Sequence, residues 1–391
     1  MTEPNLADPA DEAYWATIRD AFTVADDFIN LENGYFGIQP DPVLKAFLRY
    51  TAEANAETAR FLRLAFPPLE EQVMAGLAGF AGVGADELVI TRNATEAMNI
   101  LAQGYPFRPG DEVILGEHDY DHVVPIFELL AERKGIVLKR VEVPLHPSDD
   151  DEILDRYEAA LTPRSRVMLL THMIHFTGQI LPVAKLAALA RARDVDTMVD
   201  AAHSFAHLDF RLPTLGADFV ALNLHKWLGA PLGTGALHIR RERIGEIAPL
   251  FADRVFPEGD IRHLGHFGTT PPAAILAISD AIAFHNRIGS ANKEARLRYL
   301  REYWMDRVRE LPRVELLTPR DPVRSCAIGT FRIAGSDVQQ TADALYDRYG
   351  IFAVGRPLGP YAGVRITPHL YTRLDELDRL VEAIGELAAR P

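Results

Sequence analysis

Cysteine is nearly missing from this chain. One residue, Cys326, stands among 391, which excludes an intrachain disulfide and a multi-cysteine metal centre. Basic charge is in deficit: 41 Lys and Arg against 55 Asp and Glu leave a net charge of −14. A field of that sign repels phosphate backbones, so nucleic acid is not an expected partner. Long apolar runs are absent too. No stretch approaches the ~20 residues that span a bilayer, and residues 1–20 lack the basic start and apolar run of a secretory signal. No membrane partner is expected, and a cytoplasmic enzyme is the default.

What is present is a chain long enough for a large core and two domains. Between about residues 70 and 240, short β-rich runs alternate with helical patterns. Strands are expected at 88–91, 113–115, 167–171, 197–200, 219–222 and 236–239. Helices are expected at 94–102, 123–133, 153–161 and 183–193, the last with Pro182 at its start and apolar residues at helical spacing. This alternation implies an α/β fold with a largely parallel sheet covered on both faces. Ligands of such sheets sit outside the carboxyl ends of the strands. Beyond Pro271-Pro272 a long helical region over 273–311 leads to further strands at 314–317, 328–333 and 363–366, and a final amphipathic helix begins at Leu374.

The residues suited to chemistry lie where apolar strands end. Asn93-Ala94-Thr95-Glu96 follows a strand and opens a helix, with Asn93 as N-cap and Glu96 in capping-box position. Such a helix start suits a phosphate, and equally suits an ordinary capped helix. His118, just past the 113–115 strand, could stack on an aromatic cofactor or sit in a surface loop. Asp200 ends the apolar run Thr197-Met198-Val199. A buried carboxylate there needs a partner, either a cation such as a protonated pyridine nitrogen or nearby backbone N–H groups. Lys226, in His225-Lys226-Trp227, leaves an apolar strand; either burial lowers its pKa and frees the amine for Schiff-base chemistry, or the side chain snorkels to the surface. The pairs His172/His175 and His203/His207 have spacings seen in metal sites, but they lack an HExxH context, and no metal is expected.

The motifs Asn93-Ala94-Thr95, Glu117-His118, Thr171-His172 with Thr177-Gly178, Asp200 to His203, and His225-Lys226-Trp227 occur in order and in step. With Leu31-Glu32-Asn33-Gly34-Tyr35-Phe36-Gly37 near the start and Gly363-Val364-Arg365-Ile366 near the end, the chain resembles the class V aminotransferase family. These are fold-type I pyridoxal 5′-phosphate (PLP) enzymes, and the likeness is greatest to the isopenicillin N epimerase-like branch. It covers almost the whole chain.

The resemblance implies a fold-type I PLP-dependent transferase. Its large domain would hold a mainly parallel, seven-stranded-type sheet, and its small C-terminal domain would be α+β. The segments would be 1–40 packing with the small domain, 41–270 binding PLP, and 271–391 forming a connector helix and the small domain. Lys226 would bond the cofactor and carry the proton, Asp200 would pair with the pyridine nitrogen, and His118 would stack on the ring. Asn93, Ala94 and Thr95, with Asn223 and His225, would surround the phosphate, and His203 would sit near the ring hydroxyl. Thr269 would reach the cofactor phosphate of a neighbouring subunit, making a homodimer with a shared active site. Arg365 would clamp the α-carboxylate of an amino-acid substrate, with Asn33 and Tyr35 on the substrate side.

The chain departs from the family pattern at His175, where Asn or Ser is common, and at Asn223, which replaces a small hydroxyl residue. His175 could still contact the cofactor. No cysteine occurs in 353–361, where desulfurase relatives carry a reactive one, and Cys326 reads as core. The expected activity is therefore epimerase or racemase chemistry at the α-carbon. A C–S (β-elimination) lyase or an aminotransferase is the alternative, and a non-catalytic PLP-binding sensor is a reading of a different class. Tyr120 and Tyr35 are candidates for the second proton donor that inversion requires.

Overall fold

Runs such as Val113-Ile114-Leu115 and Val167-Met168-Leu169-Leu170 have no polar alternation, so their strands must be covered on both faces. A computed structural model, which describes residues 6–252, 254–356 and 361–390, places them at the centre of a seven-stranded sheet. The strand order is Leu88–Thr91, Gly235–Ile239, Phe219–Asn223, Asp196–Asp200, Ser165–Thr171, Glu112–Gly116 and Val137–Val141. Gly235–Ile239 runs antiparallel to its neighbours; the other pairings are parallel. Alternate residues feed two cores. Ile114, Met168, Leu170 and Val199 join one hydrophobic cluster, while Val113, Leu115, Leu169 and Met198 join the other. Six of these strands coincide with the expected ones to within two residues. Val137–Val141 was not anticipated: it is an edge strand whose Lys139 and Arg140 mask the pattern.

The helical region over 273–311 is two helices, Pro272–Ile288 and Ser290–Val308. Gly289, at φ 87°, breaks them apart. They lead to an antiparallel sheet in the order Val354–Arg356, Gly363–Ile366, Gly329–Ile333 and Val314–Leu316, backed by the helices Val338–Tyr349 and Leu374–Ala388. The start of the chain returns to this part. Ile29–Asn30 pairs in parallel with Ile351–Phe352, and Glu32 bridges Thr367. Residues 31–37 then form a strap toward the large sheet. A Cβ at Gly37 would lie 2.6 Å from the Lys226 carbonyl oxygen, so the strap touches the backbone of that lysine. Among the described residues no helix is long and apolar enough to cross a membrane.

Candidate active site

Parallel pairing brings the carboxyl ends of the central strands to one side. Thr171 is in register with Asp200, and Asp200 with Ala221. A cleft opens there, and Lys226 stands in it three residues past the end of Phe219–Asn223. The amine is buried, with Nζ 2.9 Å from His203 Nε2. Burial pushes its pKa down to about 7, against a smaller opposing pull from the Asp200 carboxylate. Asp200 ends its strand fully enclosed. Its one hydrogen bond accepts the Ala202 N–H at 2.9 Å, and burial raises its pKa. A cation set against it would offset that burial.

The phosphate candidates gather at the neighbouring helix start. Asn93 caps the helix Ala94–Gly104 by accepting the Glu96 N–H at 2.8 Å. The Ala94 N–H is committed to Asn223 Oδ1 at 2.8 Å, which leaves the Thr95 N–H among the first-turn donors. His225 directs Nδ1 to the Thr234 carbonyl at 2.7 Å, and its other nitrogen remains for the cleft. All five residues line the cleft.

His203 and His175 line it as well, and both are fully buried with pKa values well below the usual range because of burial. His203 Nδ1 and both ring nitrogens of His175 have no hydrogen-bond partner among the described residues. Buried polar atoms of this kind are uncommon, and they mark a place built for a bound group. Tyr35 and Tyr120 complete the wall, their ring centroids 5.9 and 6.0 Å from Lys226 Nζ. The Tyr120 ring lies 5.0 Å from that of His175.

Four of the expected residues stand outside the lining. His118 is buried beside it, with Nε2 3.2 Å from the Val143 carbonyl oxygen and its ring centroid 4.2 Å from that of Tyr361. Asn33 is engaged by Thr367: its N–H donates to Oγ1 at 2.6 Å and its Nδ2 to the carbonyl at 2.7 Å. Thr269 is exposed and is not among the residues that line the cleft of its own chain. Arg365 lies behind Tyr35, its guanidinium 4.5 Å from that ring, and it is paired with Glu32. Glu32, Phe36, Thr171 and Ala202 fall within the motifs but have no role assigned from the sequence, although Thr171 carries the same signal as Asp200, a polar residue ending an apolar strand.

The histidine pairs at metal-like spacing diverge. His172 packs edge-on to Phe210, and His207 stacks on Trp227 at 3.7 Å. Among the described residues no group of three His, Cys, Asp or Glu side chains could hold a metal ion. Arg356 stands beside the cleft wall, 5.3 Å from the Tyr35 ring and bonded to Asp121 at 2.8 Å. In the cysteine-free stretch that follows it, residues 357–360 lie outside the described residues.

Comparison with known proteins adds four findings. The family model described as aminotransferase class-V matches residues 38–359. An isopenicillin N epimerase of Streptomyces clavuligerus is 31% identical over 392 residues, covering 96% of this chain and 98% of that protein. A probable cysteine desulfurase of Methanothermobacter thermautotrophicus is 27% identical over 400 residues, covering 95% and 97%. Among solved structures, the apo cysteine desulfurase of Thermococcus onnurineus NA1 superposes with a TM-score of 0.86 at 21% identity, covering 99% of each chain.

Proposed function

The chain belongs to the class V aminotransferase family, and from that premise we propose that it binds PLP on Lys226 and inverts an amino acid at its α-carbon. The observation that carries the PLP reading is the Lys226 amine itself. It is enclosed at the carboxyl end of the sheet, its pKa is brought to about 7 by burial, and it is held against His203 with Asp200 nearby. An amine in that state is neutral and nucleophilic near neutral pH.

The remaining residues fit the cofactor. The unpartnered nitrogens of His203 and His175 can meet its ring substituents, and the Thr95 N–H with His225 can meet its phosphate. When bound, PLP supplies an electron sink for the charge left at the α-carbon. Asp200 holds the proton on the pyridine nitrogen, which also gives this buried carboxylate the cation it lacks. Lys226 takes the α-proton. Arg365 orients the substrate carboxylate. Thr269, exposed and outside the lining of its own cleft, suits the reading in which it serves the cofactor of a partner subunit.

Inversion is favoured over β-elimination or transamination by Tyr35 and Tyr120. Both line the cleft with Lys226, their ring centroids 5.9 and 6.0 Å from its Nζ, and each is a hydroxyl placed to serve as the second proton donor that inversion requires. A cysteine-based desulfurase is not supported. Cys326 is fully buried, its thiol pushed up to about 12, and it contacts the Glu294 carbonyl.

The test is incubation with single-enantiomer amino acids in deuterium oxide, followed by mass spectrometry and chiral separation. Inversion yields the opposite enantiomer with deuterium at the α-carbon. Release of a keto acid with ammonia would make it a lyase, and accumulation of pyridoxamine phosphate would make it a transaminase.

A further inference from the structure

The guanidinium assigned to the substrate carboxylate already holds one. Glu32 meets Arg365 side-on: Oε2 lies 3.3 Å from Nε, and Oε1 contacts Nη2. The third arm of the guanidinium, Nη1, donates to the His175 carbonyl at 2.7 Å. Both side chains are buried, Arg365 at 0% and Glu32 at 5% exposure. The strap is shaped around the pair. Tyr35 donates its N–H to Glu32 Oε1 at 3.2 Å and lays its ring over the guanidinium. Gly34 passes so close that a Cβ there would lie 2.6 Å from Arg365 Cζ. Glu32, Gly34 and Tyr35 therefore close over Arg365 as one unit, and Tyr35 is also a wall of the cleft.

Removing either member of a buried pair leaves an uncompensated charge, whereas replacing one carboxylate with another does not. On the reading that Arg365 serves the substrate, we propose that Glu32 is a resident carboxylate, displaced from Arg365 by the α-carboxylate of the incoming amino acid. The exchange is like for like, so the guanidinium is never left bare. Because Glu32 is tied to Tyr35, it also shifts the strap that walls the cleft. Arg356, 5.3 Å from the same ring, offers the displaced carboxylate a second cation. A ligand with an amine but no carboxylate cannot drive the exchange, so Glu32 tunes the affinity for α-amino acids and leaves that for amines untouched.

The experiment is a spectral titration of the cofactor-loaded protein with glycine and with glycinamide, which differ only in the carboxylate. Glu32→Gln should lower the apparent Kd for glycine about tenfold, because Arg365 has lost its competitor. The Kd for glycinamide should not change. Equal effects on the two ligands, or no effect on glycine, overturn the exchange. Wild-type protein supplies an arm that needs no variant: acetate should weaken glycine binding and leave glycinamide binding unaltered, and the reverse pattern overturns the proposal. Absence of any spectral response to either ligand in either protein removes the amino-acid reading itself, and this inference falls with it.

Discussion

Burial separates Lys226 from the surface lysines. An exposed amine is protonated until about pH 10, but this one has its pKa brought to about 7. In cofactor-free protein the rate of PLP capture should therefore rise with pH through about 7 and then level off. Borohydride reduction followed by peptide mapping should find the label on Lys226, and Lys226→Ala should lose it. A capture rate still climbing at pH 10, or a label on another lysine, would remove Lys226 from its assigned role. Asp200 has the opposite difficulty, a carboxylate enclosed with one hydrogen bond. Asp200→Asn would keep its shape and drop its charge, leaving the pyridine nitrogen without an anion. Loss of the α-proton should slow about a thousandfold, roughly 4 kcal/mol of barrier, as read by deuterium exchange. Near-normal exchange would contradict the pairing. Both residues were legible from sequence because each is a polar residue at the end of an apolar run. The Glu32–Arg365 pair was not, because its members are 333 positions apart and neither segment hints at the other.

At the scale of elements, the helix Ala94–Gly104 ties cap, strand and cleft together. Asn93 caps it, Asn223 accepts its Ala94 N–H, and a Cβ at Gly235 would lie 2.6 Å from Asn93 Cα. Asn93→Ala should lower stability by about 1 kcal/mol in denaturant unfolding, the usual cost of a lost cap. It should also weaken retention of PLP more than that of pyridoxal, which lacks the phosphate. Equal losses for the two would show that the helix start does not hold the phosphate. The central strands and these helices could be read from sequence because strands covered on both faces are apolar throughout. Elements with little burial could not. Val137–Val141 hides an edge strand behind Lys139 and Arg140, and Asp41–Arg60 buries only Val43 and Ala46. Ile29–Asn30 and Ile351–Phe352 are two residues each, too short for any periodicity.

At the scale of the molecule, apolar side chains remain uncovered: Phe36 at 62%, Leu48 at 57% and Leu64 at 72% exposure. Singly exposed apolar residues are ordinary, so the second subunit rests on the proposed reach of Thr269. Light scattering should give a mass near twice 43.4 kDa. Thr269→Ala should speed cofactor loss while leaving that mass unchanged. A monomer that retains PLP normally would refute the shared site. The strap has one more implication, and it concerns synthesis. Residues 29–32 are made first, yet their partners lie at 351, 352, 365 and 367. At ~5–20 residues per second on the ribosome, Glu32 waits on the order of 20–70 s for Arg365 to emerge. Lys226 and its strand are translated within that interval, so the large sheet is complete before the strap has any of these partners to dock on.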